Sequence, residues 1–304
     1  MAAIVDPHHH LWYRAGERYL LAELRRDLDT VPGIETTVFI ECGWSYRTEG
    51  PEAFRPIGET EAVVAADPDA SIAGIVGHAD LRDPGVADVL AAHVEAGAGR
   101  FRGIRHSAAF DESPDIHRSR AGAVPGMLGD PAFRSGLAAV GAAGLSFDTY
   151  LYHPQLPELT ALARVHDDVV IVLDHLGTPL TAGPYAGRRD EVLAAWRTAM
   201  VDVAACPNVV LKVGGVGMPW MAVRPPSADT AETAESLAAA WGDDIRWCIE
   251  LFGADRCMFE SNFPVDKASC SYRTLWDAFA LIVSEASATD RAALFGDTAR
   301  RVYR

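Results

Sequence analysis

The chain has 304 residues, 49% of them hydrophobic and 23% charged, enough to bury a large core, and α/β barrels of this length commonly form one domain. A formal net charge of -15 argues against nucleic acid or an anionic membrane surface as partner, since both need basic patches. An anionic small molecule stays open, because a few arginines inside one pocket override the net charge locally.

The five cysteines are scattered and none forms a C-x-x-C pair, so reduced, mostly buried thiols are expected. The N-terminal MAAIVDPHHHLW has neither a basic nor an apolar leader region, and no apolar run approaches the ~20 residues of a membrane span. The expectation is a soluble, cytoplasmic protein.

Eight short β-branched and apolar runs read as strands: AIVDPHH (3–9), TVFIECG (37–43), IAGIVGHA (72–79), FRGIRHS (101–107), LSFDTYLY (145–152), VVIVLDHLG (169–177), VVLKVGGV (209–216) and CMFESNFP (257–264). Amphipathic segments fall between them, among others 84–97, 158–168, 188–205 and 236–253, and the chain closes with a helical 288–304. Strict alternation implies parallel strands with right-handed crossovers. Polar residues gather at the C-terminal ends of nearly all strands, and no G-x-G-x-x-G follows the first. Both features favour a single-domain (β/α)8 barrel over 1–304 rather than an open nucleotide-binding sheet. The Pro/Gly-rich stretches 108–130, 178–188 and 217–232 read as long loops over the barrel mouth.

Residues two apart share one face of a strand, so His8 and His10 project together into the barrel, where paired imidazoles can bind a metal or polarise a carbonyl. Strand six ends in Asp174-His175, a polar pair closing an apolar run, which is costly unless paired or functional. Arg105 in strand four suits capture of a carboxylate or a rim salt bridge. Lys212 in strand seven is a candidate substrate or charge partner, with snorkelling to the surface as the bland alternative. Strand five offers Asp148 and Tyr150, with His153 just beyond, and strand two ends in Glu41-Cys42. In strand eight, Glu260 lies one layer deeper than Asn262, and a carboxylate there has a raised pKa unless a cation neutralises it. His93 is expected on a solvent-facing helix, His166 at a helix end and His117 in a loop, while His78 is undecided. No G-x-S-x-G elbow is present.

VDPHHHLW, FRGIRH, IVLDHLGTP, LKVGGVGM, FGADRCMFESNFPVDK and ALFGDTARRVYR, in that order across the whole chain, resemble the amidohydrolase superfamily, within it the branch holding sugar-acid and dicarboxylate lactonases. The resemblance implies hydrolysis of a cyclic ester, with His8, His10 and His175 in the active site, Arg105 on the substrate and Tyr150 near it. Where the family ends strand eight in G-S-D-x-P, this chain reads Glu260-Ser261-Asn262-Phe263-Pro264, so Glu260 is expected to take over the base role, with Asp266 or Asp148 as fallbacks. The missing aspartate leaves two alternatives: zinc on His8, His10 and His175, completed by His153 or Glu260, or no metal at all. A decarboxylase on the same frame and a catalytically inactive ligand-binding barrel are the other readings. The expected partner is a small, carboxylate-bearing molecule, and a homo-oligomer is open.

Overall fold

The β-branched runs form eight parallel strands: β1 (Ile4–His9), β2 (Ile34–Ile40), β3 (Ile72–Gly77), β4 (Phe101–Arg105), β5 (Ser146–Thr149), β6 (Ile171–Leu173), β7 (Val209–Val213) and β8 (Cys257–Phe259). The structure is a computed structural model that describes residues 3–14, 16–117, 122–221 and 231–304. The strands are hydrogen-bonded in sequence order, β1 to β8, as a (β/α)8 barrel requires. Each is followed by a helix: α1 (Leu21–Leu28), α2 (Ile57–Ala66), α3 (Val86–Ala96), α4 (Pro131–Ala142), α5 (Leu156–Val165), α6 (Arg189–Ala204), α7 (Ala234–Phe252) and α8 (Tyr272–Ile282).

Closure between β1 and β8 is made by single bonds beyond the end of β8. Asn262 N donates to His8 O at 2.9 Å and His10 N donates to Phe263 O at 2.8 Å. The seam of the barrel therefore runs through the residues of interest. Deeper in the barrel, Val5, Val38, Val76, Val172, Val210 and Met258 fill the interior, packed with Ala299 and Tyr303 from the C-terminal segment. That segment is helical from Ala288 to Val302, with one π turn at Ala293–Asp297.

Several strands stop earlier than the apolar runs suggest. β5 ends at Thr149, β6 at Leu173 and β7 at Val213. In β6 the reason is local, because the backbone turns left-handed directly after Asp174, with His175 at φ 55° and Leu176 at φ 57°. His175 thus stands in a turn, not in the strand. Residues 118–121 and 222–230, within the expected mouth loops, lie outside the described residues.

An 8-residue hairpin-forming segment absent from the sequence reading follows β1. Trp12–Arg14 pairs antiparallel with Glu17–Tyr19. The helix carrying His93 does not turn it to solvent as expected. The imidazole is fully buried, with Nδ1 2.8 Å from Thr60 Oγ1 and Nε2 3.0 Å from the His78 carbonyl oxygen, and burial holds its pKa at about 4. The α3 sequence gives no hint of Thr60, which arrives from α2. Among the described residues, no helix is long and apolar enough to cross a membrane.

Candidate active site

Strand pleating sorts the three consecutive histidines of β1. His9 points outward, with Nε2 2.9 Å from Thr37 Oγ1, while His8 and His10 enter the barrel with their Nε2 atoms facing at 3.2 Å. His10 Nδ1 donates to the Ile40 carbonyl at 2.7 Å, which leaves its Nε2 as a lone pair.

Glu260 is fully buried beneath this pair. Its Oε1 accepts from His175 Nδ1 at 2.6 Å and from the His175 backbone N at 3.2 Å. Its Oε2 makes an ionic contact of 2.7 Å with His8 Nδ1, off the line of a good hydrogen bond. Burial alone would raise the carboxyl, but His175 and His8 outweigh it and bring it down to about 2. The same partnership acts on His175: burial lowers it, Glu260 more than offsets this, and the net pKa is raised. Gly214 makes the arrangement possible, since a Cβ there would stand 2.3 Å from Glu260 Cγ.

A second buried network lies alongside. Lys212, fully buried, donates to Asp148 Oδ2 at 2.7 Å and stands 3.2 Å from Asp174 Oδ1 and 3.3 Å from His8 Nδ1. Asp148 also accepts from the Tyr303 hydroxyl. Arg105 donates through Nε to Glu41 Oε1 at 2.9 Å and through Nη2 to the Glu41 carbonyl, with Nη1 3.5 Å from Asp174 Oδ2 and 3.4 Å from His8 Nε2. Asp174 is buried, which would raise it, yet Lys212 and His8 hold it well below the usual carboxylate range.

Above these residues opens a cleft of about 410 Å³. His10, Arg105, Tyr150, His175 and Asn262 line it. Asn262, at φ 54°, donates through Nδ2 to Asp266 Oδ1 at 2.8 Å, and Asp266 Oδ2 accepts from Gly217 N at 2.8 Å. The amide nitrogen is therefore committed inward and the carbonyl oxygen is the free end. Burial raises Asp266, the Gly217 and Asn262 bonds lower it, and the result is about 7.

The structure thus gathers His8, His10, His175, Glu260, Asn262, Arg105 and Tyr150 at one barrel mouth. Lys212 is close but lies beneath His8, away from the cleft wall. His153 is buried against Tyr185, with ring centroids 5.2 Å apart, outside the residues that line the cleft. Sequence reasoning passed over Asp174 as a partner of both cations, although it stands next to His175. It also passed over His117, which stacks on Trp220 at 5.0 Å and 6° at the cleft wall, and over Trp12 and Arg14 of the hairpin. An aromatic residue soon after a strand end was the available signal for Trp12, whereas His117 and Arg14 carried none.

The donor atoms suit a divalent ion. His8, Asp174 and His175 offer ligand atoms all within 4.8 Å of one another, and the 3.2 Å between the His8 and His10 Nε2 atoms is close to the spacing that two ~2.0–2.1 Å zinc–nitrogen bonds impose at a tetrahedral centre. The Ile40 carbonyl behind His10 is the usual outer partner of a metal-bound imidazole.

Residues 5–304 match the profile of the family described as Amidohydrolase. The chain belongs to the amidohydrolase family. This amidohydrolase is 33% identical to an uncharacterized protein of Sinorhizobium fredii, over 99% of this chain and 98% of that one. It is 32% identical to an L-fucono-1,5-lactonase of Burkholderia multivorans, over 77% of this chain and 72% of that one. Among solved structures, a Burkholderia multivorans amidohydrolase crystallised with zinc superposes with a TM-score of 0.78 at 28% identity, covering 99% of both chains. A second crystal form of that protein holds HEPES.

Proposed function

We propose that this amidohydrolase opens a small cyclic ester, the lactone of a sugar acid or of a dicarboxylic acid, by adding water to its carbonyl. The observation that carries the reading is the His175–Glu260 pair at the floor of the cleft. A carboxylate locked on Nδ1 fixes the tautomer and leaves Nε2 for the substrate. The lactonase relative, and the resemblance of VDPHHHLW, FRGIRH and IVLDHLGTP to the lactonase branch, support the same reading.

The environments of the two cleft histidines push their pKa values apart. Burial, with His8 and Arg105 nearby, drives His10 well below the ordinary value, so it is neutral, and its Nε2 can accept a hydrogen bond from the attacking water and take its proton once addition to the carbonyl has made that water acidic. His175 keeps its proton and can stabilise the carbonyl oxygen as charge develops, then protonate the departing ring oxygen. Glu260 acts through His175 instead of touching water itself, which refines the expectation that it would be the base. The free carbonyl oxygen of Asn262 orients the water, while Arg105, held by Glu41, Asp174 and His8, lines the cleft as part of its wall. If a divalent ion is bound, His8, His10 and His175 would hold it with Asp174, and it would supply Lewis-acid polarisation of the carbonyl.

The test is proton release from a panel of five- and six-membered lactones in weakly buffered solution, with carbon dioxide release from aromatic acids followed in parallel. Hydrolysis of at least one lactone class is expected. Carbon dioxide release with no lactone opened would overturn the reading in favour of decarboxylation.

A further inference from the structure

The cleft contains two arginines, and the one expected to hold the substrate is already occupied. Arg105 spends Nε and Nη2 on Glu41 and Nη1 on Asp174 and His8, so its charge is neutralised inside the protein. Glu41 is the only carboxylate among the described residues lining the cleft, and Arg105 consumes it. Arg14 is different. Among the described residues no carboxylate pairs with it and no hydrogen bond is made by its guanidinium.

Its position follows from the hairpin. Trp12 and Arg14 are two apart in one strand and face the same way, whereas Tyr13 between them is 63% exposed. The Arg14 guanidinium lies over the Trp12 ring at 4.0 Å, and Trp12 stacks on His10 at 6.0 Å and 23°. Cation, indole and imidazole form one column leading from the rim to the floor of the cleft. Stacking holds the planar guanidinium in place while leaving its edge, with the donors, free. In a chain of net charge -15, this is a positive point on the cleft wall: Glu17 stands across the hairpin from it, yet among the described residues no carboxylate reaches ion-pair distance.

We propose that Arg14 is the specificity residue of the cleft: it binds an anionic group at the far end of the substrate, so the preferred substrate is a lactone that carries a free carboxylate. The proposal rests on the lactone-hydrolase reading above. The lactone carbonyl would lie against His10 and His175, and the carboxylate would take the two edge donors of Arg14. The column's two spacings set the separation, which a six-carbon sugar dicarboxylic acid closed into a lactone at one end can bridge. Hydrolysis then consumes one water, breaks the ring ester bond and yields the open dicarboxylate with release of one proton, while the carboxylate on Arg14 is unchanged.

The experiment compares kcat/KM for two lactones matched in ring size, one bearing a carboxylate and the other a neutral hydroxymethyl group, in wild type, R14Q, R14K and R14E. The wild type is expected to favour the anionic lactone. R14Q should cut kcat/KM for that lactone about 10- to 100-fold and leave the neutral one within about 2-fold, as expected for loss of a charge-assisted hydrogen bond. R14K should recover part of the loss and R14E should reverse the preference. An unchanged ratio in R14Q, or a wild type that favours the neutral lactone, would overturn the proposal. If no protein hydrolyses either lactone, the hydrolase reading fails instead. Calorimetric binding of the open dicarboxylate against the matching monoacid then decides Arg14 separately: weaker dicarboxylate binding in R14Q supports it, and equal binding refutes it.

Discussion

Replacing Glu260 with Gln removes one charge and keeps the size of the side chain. In the wild type, Oε1 stands 2.6 Å from His175 Nδ1, and the two charge centres are about 4 Å apart, worth about 4 kcal/mol at an effective dielectric near 20. His175 has a raised pKa because of this carboxylate, so activity that needs its proton is present at low pH and lost as pH rises through that value. In Glu260→Gln the same limb should move to lower pH. The amide can also donate to Nδ1 and so impose the wrong tautomer, and we expect kcat to fall about 10³-fold with KM changed little. The assay is proton release between pH 5 and pH 9, with a melting curve to show that the variant is folded. Glu260→Asp, which keeps the charge, should recover part of the rate. A folded Glu260→Gln protein with wild-type kcat and an unmoved pH profile would refute the role given to this pair.

Asp266 has a folded pKa of about 7 against an ordinary 3.8, so the folded state holds its proton more tightly and stability falls as pH rises from 4 through 7. Asp266→Asn should flatten that fall, which is bounded at about 4 kcal/mol, and identical melting-temperature slopes for both proteins would count against it. Gly136 of α4 faces the chain after β3, where an added Cβ would stand 2.0 Å from the Leu81 carbonyl oxygen. Gly136→Ala should therefore cost about 1–3 kcal/mol in urea unfolding, and an unchanged midpoint would show that α4 shifts freely. Elemental analysis separates two chemistries: a bound divalent ion whose chelation weakens lactone hydrolysis without unfolding the barrel would put a Lewis acid in place of the His175 proton. Full activity in metal-free protein would leave the histidines as the sole acid and base.

The barrel was legible because its physics is repetitive. Each apolar run had to be a strand with both faces covered, and each amphipathic run a helix laid against it. The convergence of His8, His10, His175 and Arg105 followed from their places at strand ends. What the residues could not disclose was pairing between distant segments. Nothing near Lys212 announces that Asp148 and Asp174 will meet it, and nothing in α3 announces that Thr60 will meet His93. The expected upward shift of Glu260 was conditional on the absence of a cation, and the two imidazoles that lower it, His175 and His8, come from the turn after β6 and from β1, both far from β8 in sequence. The hairpin was hidden for another reason: three-residue strands are too short to show a period, so Trp12 and Arg14 looked like loop residues.

The left-handed turn after β6 has a consequence for attempts to make the protein more robust. His175, Leu176, Gly177 and Thr178 all have positive φ, three of them with side chains that disfavour it, at about 1–3 kcal/mol each. Leu176→Gly or Thr178→Gly is no route to heat resistance, because both residues are fully buried and emptying a buried leucine site costs about 2–5 kcal/mol, more than the strain it relieves. The same changes loosen the loop that aims His175. Variants drawn from this stretch should therefore be both slower and less heat-resistant, and the strain has to be left where it is.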